Sequence, residues 1–466
     1  MSLLSWILWY IIVVWHSQSI WKNDQGVVMT ELHNRGAVFR IVCLLSVLCF
    51  YSQCFSPNVN KTDAHLLKAF DQNICTPVNT SVNITLRAFN SDREITSWVV
   101  ASGPEHGSIT ADSCLIVFTP ESDYTGVDAF LFKVSDGKYE SNLATVYIQI
   151  GSCNPDVSFT VPEGRTIHGL GQYVPDYWGY TDGENWQNVQ DYETALGAES
   201  IPVIYSTYLG ICPESVEENN TNILDIASNH GYNYILVIGL YLLDKNQLKD
   251  VNAILLGYWD DSIRIQANLI KSLDSFVFIR PGFEFGDANG VHGSFTASEF
   301  KAVWHYVRNI FFEEGVNKDI WVWNVVNPHN FNFMDYYPGN DAVDWWGINY
   351  FTSSQMTDSD EFLITATNHD KPVMICESCP INDGGTSNDD NWNDWFVPYF
   401  NLIEQNDVKA FIYINDPWDK PGFWEEWADS RININSTITN YYKTELQDNR
   451  YIHMDEYEEA PDIFNN

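Results

Sequence analysis

The chain has 466 residues, in which 62 Asp and Glu outnumber 24 Lys and Arg to give a net charge of −38. A field of this sign repels polyanions, so nucleic acid and sulfated or uronic polymers are excluded as bulk partners, whereas a neutral substrate is compatible. Solubility or a saline habitat is an alternative reason for the acidic excess. The length exceeds one ordinary domain and fits a small domain beside a barrel of ~250 residues.

Two apolar runs lie near the N-terminus, at Trp6–Trp15 and Ile41–Tyr51. Each is shorter than the ~20 residues that span a bilayer, and each suits the core of a signal peptide. The second run is the better candidate because basic residues precede it. We therefore predict a signal peptide within residues 1–54, with Met29 as the true start; an N-terminal membrane anchor facing outside is the alternative.

Sequons and cysteines fit a secretory route. Five N-x-S/T triplets favour a secreted glycoprotein; they begin at Asn60, Asn79, Asn83, Asn219 and Asn435. An even number of cysteines lies beyond the expected signal and suits extracellular disulfides; these are Cys75, Cys114, Cys153, Cys212, Cys376 and Cys379. Cys75 and Cys153 bracket one domain and are the first pair we expect, although the connectivity stays open. Cys376 and Cys379 form a lone C-x-x-C, so no metal site is predicted.

Residues 72–152 carry short alternating runs separated by Gly, Pro and Asp, a pattern typical of an antiparallel β-sandwich. The runs are Val82–Arg87, Thr96–Val100, Leu115–Phe118, Ala129–Val134 and Ala144–Ile150. With the motifs Gly103–Gly107, Tyr124–Gly126 and Phe132–Gly137, the segment resembles the cadherin-like, immunoglobulin-type modules of extracellular proteins. It shows no convergent catalytic set. Its aspartates are expected in solvated turns, with calcium binding as the alternative.

Residues 155–446 alternate apolar strand-like runs with helical patterns, which predicts an α/β fold, a parallel (β/α)8 TIM barrel that follows the small all-β sandwich. The clearest helix spans Ala297–Glu314, with Ser294 and Thr296 as available caps. Residues 447–466 are rich in acidic residues and Asn and are predicted to be disordered. The predicted strands are Ile167–Val174, Val203–Tyr208, Tyr234–Ile238, Phe276–Pro281, Ile320–Val325, Val343–Tyr350, Pro372–Glu377 and Ala410–Ile414.

Two glutamates, Glu284 and Glu377, end the fourth and seventh of these runs. The active site of such a barrel lies at the C-terminal ends of its strands, where an acid is costly to bury unless it is paired or functional. Glycosidic cleavage needs two carboxylates across a cleft, one to protonate the departing oxygen and one to attack or to activate water. Metal-dependent hydrolysis and Ser-His-Asp chemistry are disfavoured, because neither H-E-x-x-H nor G-x-S-x-G occurs.

The motifs around these glutamates resemble glycoside hydrolase family 26. That family is similar in fold to the larger clan of retaining (β/α)8 glycosidases and is known chiefly for endo-β-1,4-mannanases, with β-1,3-xylanases and mixed-linkage glucanases besides. The matching segments fall in the expected order and cover nearly the whole barrel: Ile279–Phe285, Ile320–Trp323, Asp335–Gly339, Val343–Ile348 and Lys371–Glu377.

The resemblance implies that Glu284 is the acid/base and Glu377 the nucleophile. It implies that Tyr350 donates a hydrogen bond to the nucleophile and that Arg280 holds the carboxylates charged. It also implies that Trp418 stacks on the sugar at the cleavage point. The substrate-binding set expected on this basis is Arg280, Trp323, Tyr350 and Trp418.

The chain departs from the mannanase pattern at Phe283, where those enzymes usually have His before the acid/base. The change removes a polar contact near the nucleophile and puts mannan specificity in doubt. We expect a secreted enzyme acting on a polysaccharide or oligosaccharide, first of all β-mannan, with β-xylan or mixed-linkage β-glucan as alternatives. A catalytically silent carbohydrate-binding or adhesion protein is the rival hypothesis. No cofactor, nucleic acid partner or stable membrane insertion is expected, unless the N-terminal segment is an anchor.

Overall fold

A computed structural model describes residues 65–151, 159–173, 182–214, 216, 234–273, 275–419, 427–460 and 464. The expected signal segment and the sequons at Asn60 and Asn219 lie outside these ranges. Within them, no helix combines the length and the apolar character needed to cross a bilayer.

The strands of the first domain are β1 Leu67–Ala69, β2 Gln72–Thr76, β3 Val82–Thr85, β4 Ala88–Asn90, β5 Ser97–Ser102, β6 Gly107–Asp112, β7 Leu115–Pro120, β8 Gly126–Ser135 and β9 Ala144–Ile150. Those of the second are β10 Thr166–Tyr173, β11 Ile204–Gly210, β12 Ile235–Tyr241, β13 Val277–Pro281, β14 Asp319–Val325, β15 Trp345–Tyr350, β16 Val373–Ser378, β17 Ala410–Ile414 and β18 Tyr451–Ile452. The described α-helices are α1 Asp182–Leu196, α2 Val251–Leu255, α3 Asp260–Ser272, α4 Ala297–Glu313, α5 Ser353–Thr357, α6 Asp360–Asn368, α7 Val397–Gln405, α8 Ser436–Glu445 and α9 Met454–Glu459.

The first domain is an immunoglobulin-like sandwich. Strands β2, β9, β8 and β5 form one sheet in that order, and β3, β7 and β6 form the other. Alternate residues of β7 and β8 point into a shared core, where Ile116, Phe118, Phe130 and Phe132 are almost wholly buried. The period-two pattern of the sequence therefore marks the buried face, as expected for a sheet with one solvated side.

Buried aspartates of the sandwich bind backbone N–H groups. Asp128 accepts from the N–H groups of Glu105 and His106, in the loop between β5 and β6, at 2.9 and 2.8 Å. Asp136 accepts from the N–H groups of Lys138 and Tyr139 at 2.7 Å each. These carboxylates tie turns together. Cys75 is disulfide-bonded, and its expected partner, Cys153, lies outside the described residues.

The second domain is a closed barrel of eight parallel strands. Strands β10 to β17 are hydrogen-bonded in chain order, and β10 pairs with both β11 and β17 to close the ring. Each strand predicted from the sequence is present. Helices α3, α4 and α7 follow strands as the right-handed β-α-β connection requires.

Residues alternate between the two sides of the barrel wall. Phe278, Val322 and Met374 pack with other strand residues inside the barrel, whereas Ile279 and its equivalents pack against the surrounding helices. Successive side chains of a strand point to opposite faces. This alternation decides which polar side chain at the end of each strand faces the centre.

Helix α4 begins at the cap that the sequence indicates. The Thr296 hydroxyl accepts from the N–H of Glu299 at 3.3 Å, and the Glu299 carboxylate accepts from the N–H of Thr296 at 2.8 Å. This reciprocal capping box satisfies two helix-terminal donors. The buried face of the helix has helical spacing and consists of Phe300, Ala302, Val303, Trp304, Val307, Ile310 and Phe311.

The acidic tail differs from its prediction, because its described part is ordered. Strand β18 pairs in parallel with β10, and α9 follows it. Phe464 is 2 % exposed, and its ring stacks on Phe159 with the centroids 5.5 Å apart. A few apolar residues of the tail are buried beneath the barrel. Because the segment as a whole is acidic, its composition does not indicate these residues.

The sandwich also packs against α4, the helix that follows the Glu284 segment. Phe70 and Phe89 belong to the same apolar cluster as the buried face of that helix. The ammonium of Lys68 lies 4.2 Å from the ring centroid of Tyr306, within the range of a cation–π contact. The two domains therefore share an apolar contact.

Candidate active site

Glu284 and Glu377 share one hydrogen-bond network at the C-terminal end of the barrel. Glu284 Oε1 accepts from Asn349 Nδ2 at 2.8 Å, and Asn349 Oδ1 accepts from Asn324 Nδ2 at 3.1 Å. Arg280 Nη1 donates to Asn324 Oδ1 at 2.9 Å and to Glu377 Oε1 at 2.8 Å. The network fixes the two carboxyl groups relative to each other through side chains of four neighbouring strands and the loop after β13.

Glu377 reaches the inside of the barrel because β16 is irregular at Cys376. Ile348 pairs with Ile375, but the next residue of β15, Asn349, pairs with Glu377. Cys376 packs with the inner cluster, so strict alternation would turn Glu377 outward. The β-bulge turns both residues inward.

The carboxylate of Glu377 is paired with a fully buried guanidinium. Arg280 is 0 % exposed and Glu377 is 6 % exposed. Burial is the largest single influence and disfavours the charged guanidinium, but Glu377, Cys376 and Tyr208 together outweigh it and raise the pKa of Arg280. The guanidinium carbon also lies 5.2 Å from the ring centroid of Phe283 and 5.7 Å from that of Tyr208. Removing one partner of such a pair typically costs about 3–5 kcal/mol, because a buried charge is left uncompensated.

The backbone of Glu284 is left-handed, with a φ of 57°. This conformation is uncommon for residues with a side chain, costs about 1–3 kcal/mol and concentrates at functional sites. Its N–H donates to the carbonyl of Asn324 at 3.1 Å. Gly290 packs against the same residue so closely that a Cβ there would lie 2.1 Å from the Glu284 carbonyl oxygen. The fold therefore imposes the position of this carboxyl group.

Two buried polar residues hold the loop that follows Glu284. Asp287 is 4 % exposed and accepts from two Asn side chains of the segment after β14 at 3.2 and 2.6 Å. His292 Nε2 accepts from the N–H of Leu242 at 3.1 Å, so its Nδ1 carries the proton and donates to the Phe283 carbonyl at 2.7 Å. Burial lowers the pKa of His292 to about 4, which keeps it neutral in this structural role.

The carboxyl of Glu284 has a pKa suited to proton transfer. Burial, followed by the negative charge of Glu377, raises the pKa of Glu284 to about 7, and the Asn349 amide acts in the opposite direction. Oε1 of Glu284 accepts a hydrogen bond from Asn349, whereas Oε2 accepts only a long one, from the N–H of Val291 at 3.4 Å. A proton can therefore reside on Oε2, and a carboxyl protonated near neutral pH can act as an acid.

Solved structures found to be similar include carbohydrate-active barrels. A family 26 β-mannanase from Bacteroides ovatus is 15 % identical, with 62 % of this chain and 88 % of that chain covered and a TM-score of 0.48. A modular endo-β-1,4-mannanase from Cellulomonas fimi is 13 % identical, with 63 % and 73 % covered and a TM-score of 0.46.

Sequence comparison finds relatives for both domains. Residues 63–149 match the family model of a bacterial Ig domain. A β-1,3-xylanase of a Vibrio species is 25 % identical over 332 residues, which cover 62 % of this chain and 69 % of the relative. A β-1,3-xylanase of an Alcaligenes species is 24 % identical over 308 residues, which cover 58 % of this chain and 63 % of the relative. Both of these curated relatives are glycosidases by name. The resemblance of the first domain to an immunoglobulin-type module is confirmed, and family 26 mannanases are among the solved structures found to be similar.

In the barrel, Tyr350 does not donate to Glu377 as the resemblance implies. Its hydroxyl donates to Ser359 Oγ at 2.6 Å. Alternation along β15 turns Asn349 to the centre and Tyr350 to the helices. The phenol that reaches Glu377 Oε1, at 2.8 Å, is that of Tyr208 on β11. The sequence signal for it was its place near the end of the second strand.

Two tryptophans expected to bind substrate are buried in the core of the barrel domain. Trp323 is fully buried, with its ring centroid 5.3 Å from that of Phe285 and 4.8 Å from that of Trp346. It lies on the helix-facing side of β14, so it is a core residue. Trp418 is 3 % exposed and packs against Trp427 with the centroids 5.2 Å apart. Little of its indole face is open for stacking.

Phe283 packs into an aromatic cluster beside the two glutamates. It is 2 % exposed, and its ring centroid lies 5.4 Å from that of Tyr208 and 5.0 Å from that of Tyr241. Gly239 makes room for the cluster, because a Cβ there would lie 2.5 Å from the Tyr208 ring and 3.0 Å from Phe283.

Among the described residues, no group of three or more His, Cys, Asp or Glu could hold a metal ion.

Proposed function

We propose that this protein is a retaining glycosidase that hydrolyses a neutral β-linked polysaccharide, with Glu284 as acid/base and Glu377 as nucleophile. The observation that carries the proposal is the difference between the two carboxyl environments. The pKa of Glu284 is raised to about 7, whereas Glu377 forms a buried ion pair with Arg280. Environments that separate two carboxyl groups in this way divide the acid role from the nucleophile role.

The first step forms a glycosyl ester. Glu284 transfers its proton to the glycosidic oxygen while the Glu377 carboxylate attacks the anomeric carbon, and the bond to the leaving sugar breaks. The ester has no negative charge, so a cause of the raised pKa of Glu284 is lost. Glu284 then accepts a proton from the incoming water, and attack by that water releases the sugar with its anomeric configuration retained.

Two substrates are supported by different observations. β-1,3-Xylan is favoured by the names of the curated relatives, and Phe283 in place of the usual mannanase His agrees with it. β-Mannan is the second candidate, because the motifs resemble a family known chiefly for mannanases. The net charge of −38 makes negatively charged polymers poor substrates, whichever of the two polysaccharides is the natural one. An extracellular site of action follows from the signal-like run and the immunoglobulin-type module.

A hydrolysis panel tests the proposed function. Purified protein is incubated with β-1,3-xylan, β-1,4-mannan and mixed-linkage β-glucan, and the release of reducing ends is measured beside the Glu377→Gln variant. We expect release from β-1,3-xylan or from β-mannan by the wild type and none by the variant. Binding to a polysaccharide without release from any of them would contradict the proposal and support the catalytically silent alternative.

The pH profile of hydrolysis depends on the proton of Glu284. We expect kcat/KM to fall as the pH rises through about 7, because the acid form of Glu284 is lost there. Asn349→Ala should move this fall to higher pH, since it removes an N–H donor that favours the charged carboxylate. Asn332→Ala, at an exposed position, is the matched control. A basic limb that stays in place or moves down in Asn349→Ala would contradict the role of Glu284.

A further inference from the structure

We propose that Tyr208 is the positioning residue of the nucleophile, and that Tyr208 and Arg280 together hold Oε1 of Glu377 so that Oε2 makes the attack. The inference rests on the proposed function and deepens it. The family resemblance assigns the hydrogen bond to the nucleophile to Tyr350, whereas the proposal assigns it to Tyr208 on β11. The carrying observation is that two donors, the Tyr208 hydroxyl and Arg280 Nη1, both lie 2.8 Å from Oε1.

The two oxygens of Glu377 are not equivalent. Oε1 accepts from a guanidinium and from a phenol, and charge-assisted hydrogen bonds of this kind are about twice as strong as neutral ones. From the described part of the chain, Oε2 of Glu377 accepts no hydrogen bond. The anchored oxygen has its lone pairs engaged, so the other oxygen is the one available to the anomeric carbon.

The proton of Tyr208 has a defined direction. Its hydroxyl lies within hydrogen-bonding distance of both Glu377 Oε1 and the side-chain amide of Gln172, yet a phenol has one proton to donate. The amide oxygen of Gln172 faces the phenol in the structure, and exchanging the oxygen and the NH2 of that amide, two nearly indistinguishable groups, lets both contacts be satisfied. The phenol then donates to the carboxylate, the partner with the charge. A relay from Gln172 through Tyr208 to Glu377 results.

The ring of Tyr208 is buried and tightly packed. It is 5 % exposed, packs against Phe283 and Tyr241, and occupies space that a side chain at Gly239 would fill. Burial and the charge of Glu377 raise the pKa of Tyr208 well above its ordinary value, so the phenol keeps its proton at every working pH. Its donor role is therefore constant while Glu284 titrates.

Tyr208→Phe tests the proposal, because it removes the hydroxyl and keeps the ring. We expect kcat to fall about 10- to 100-fold with KM changed by less than about threefold, since a hydrogen bond to a charged group is lost. We also expect the acidic limb of the pH profile to move to higher pH, because the carboxylate form has lost a donor. The titratable groups that face Glu377 are Arg280, Glu284, Cys376, Cys379 and Tyr208.

Tyr350→Phe is the matched control, since it removes a buried hydroxyl that is bonded to Ser359 and points to the helices. It should keep kcat within about twofold and leave the acidic limb in place. Wild-type kcat and pH profile in Tyr208→Phe, or the loss appearing in Tyr350→Phe instead, would overturn the proposal. If Tyr208→Phe folds poorly, Gln172→Ala serves as second variant. It should show a several-fold lower kcat with the same upward shift of the acidic limb, and an unchanged profile would overturn the proposal as well.

The wild-type enzyme separates this inference from the proposed function. Absence of hydrolysis by the wild type would refute the proposed function itself. Hydrolysis with retention by the wild type, together with an unaffected Tyr208→Phe, would refute only the assignment of Tyr208.

Discussion

Glu377→Ala is expected to lower turnover by on the order of 10⁴-fold or more, because it removes the only group proposed to form the glycosyl intermediate. The measurement is release of reducing ends at saturating substrate. The same variant should be less stable to heat, since it leaves the guanidinium of Arg280 buried without its partner.

The stability effect is separated from the catalytic one by Glu377→Gln. Glutamine keeps an oxygen for Arg280 and for Tyr208 but has no charge and no nucleophilic carboxylate, so it should lose activity to the same degree with a smaller loss of thermal stability. Glu456→Gln is the control at the opposite end of the barrel, where the carboxylate pairs with Arg165. It should leave turnover unchanged. Substantial activity in either Glu377 variant would remove Glu377 from the mechanism.

Glu284→Ala is expected to lower hydrolysis of polysaccharide by on the order of 10³-fold, within the usual worth of general acid catalysis. Its effect should be much smaller on the first step of aryl glycosides with good leaving groups, because such groups depart without a proton. Azide should then restore turnover and yield a glycosyl azide of retained configuration, since a small anion needs no general base.

The azide product identifies the role of the missing carboxyl group. No rescue, together with equal losses on natural and activated substrates, would show that Glu284 is not the acid/base. Asp287→Asn is a useful comparison in the same loop, because Asp287 binds Asn side chains and not the other glutamate. It should change thermal stability more than it changes the dependence on leaving group.

The eight strands and the two glutamates could be predicted from the sequence because each depends on local information. Apolar runs mark the strands, and an acid after such a run is recognisable without knowledge of the register. Ser294 and Thr296 were both predicted as available caps for the same reason, and the structure selects Thr296, whose capping box lies within four residues.

The partners of the glutamates could not be predicted, because they depend on which face of the wall each residue occupies. Tyr350 and Asn349 are neighbours in sequence and therefore point to opposite sides of the barrel wall. A shift of one residue would exchange which of them faces the glutamates. The bulge at Cys376 then shifts Glu377 by one more residue, which no pattern of hydrophobicity signals. Tyr208 comes from a strand far away in sequence, so only the closed barrel brings it to the nucleophile.

The anomeric configuration of the first product distinguishes a covalent intermediate on Glu377 from direct attack by water. Hydrolysis of a soluble xylo- or manno-oligosaccharide is followed by proton NMR before mutarotation equilibrates the anomers. Retention requires two carboxyl groups ~5–5.5 Å apart and one covalent intermediate, whereas inversion needs ~6.5–9.5 Å to admit a water. We expect the β-anomer of the new reducing end to appear first, whereas an initial α-anomer would show that Glu377 is not a nucleophile.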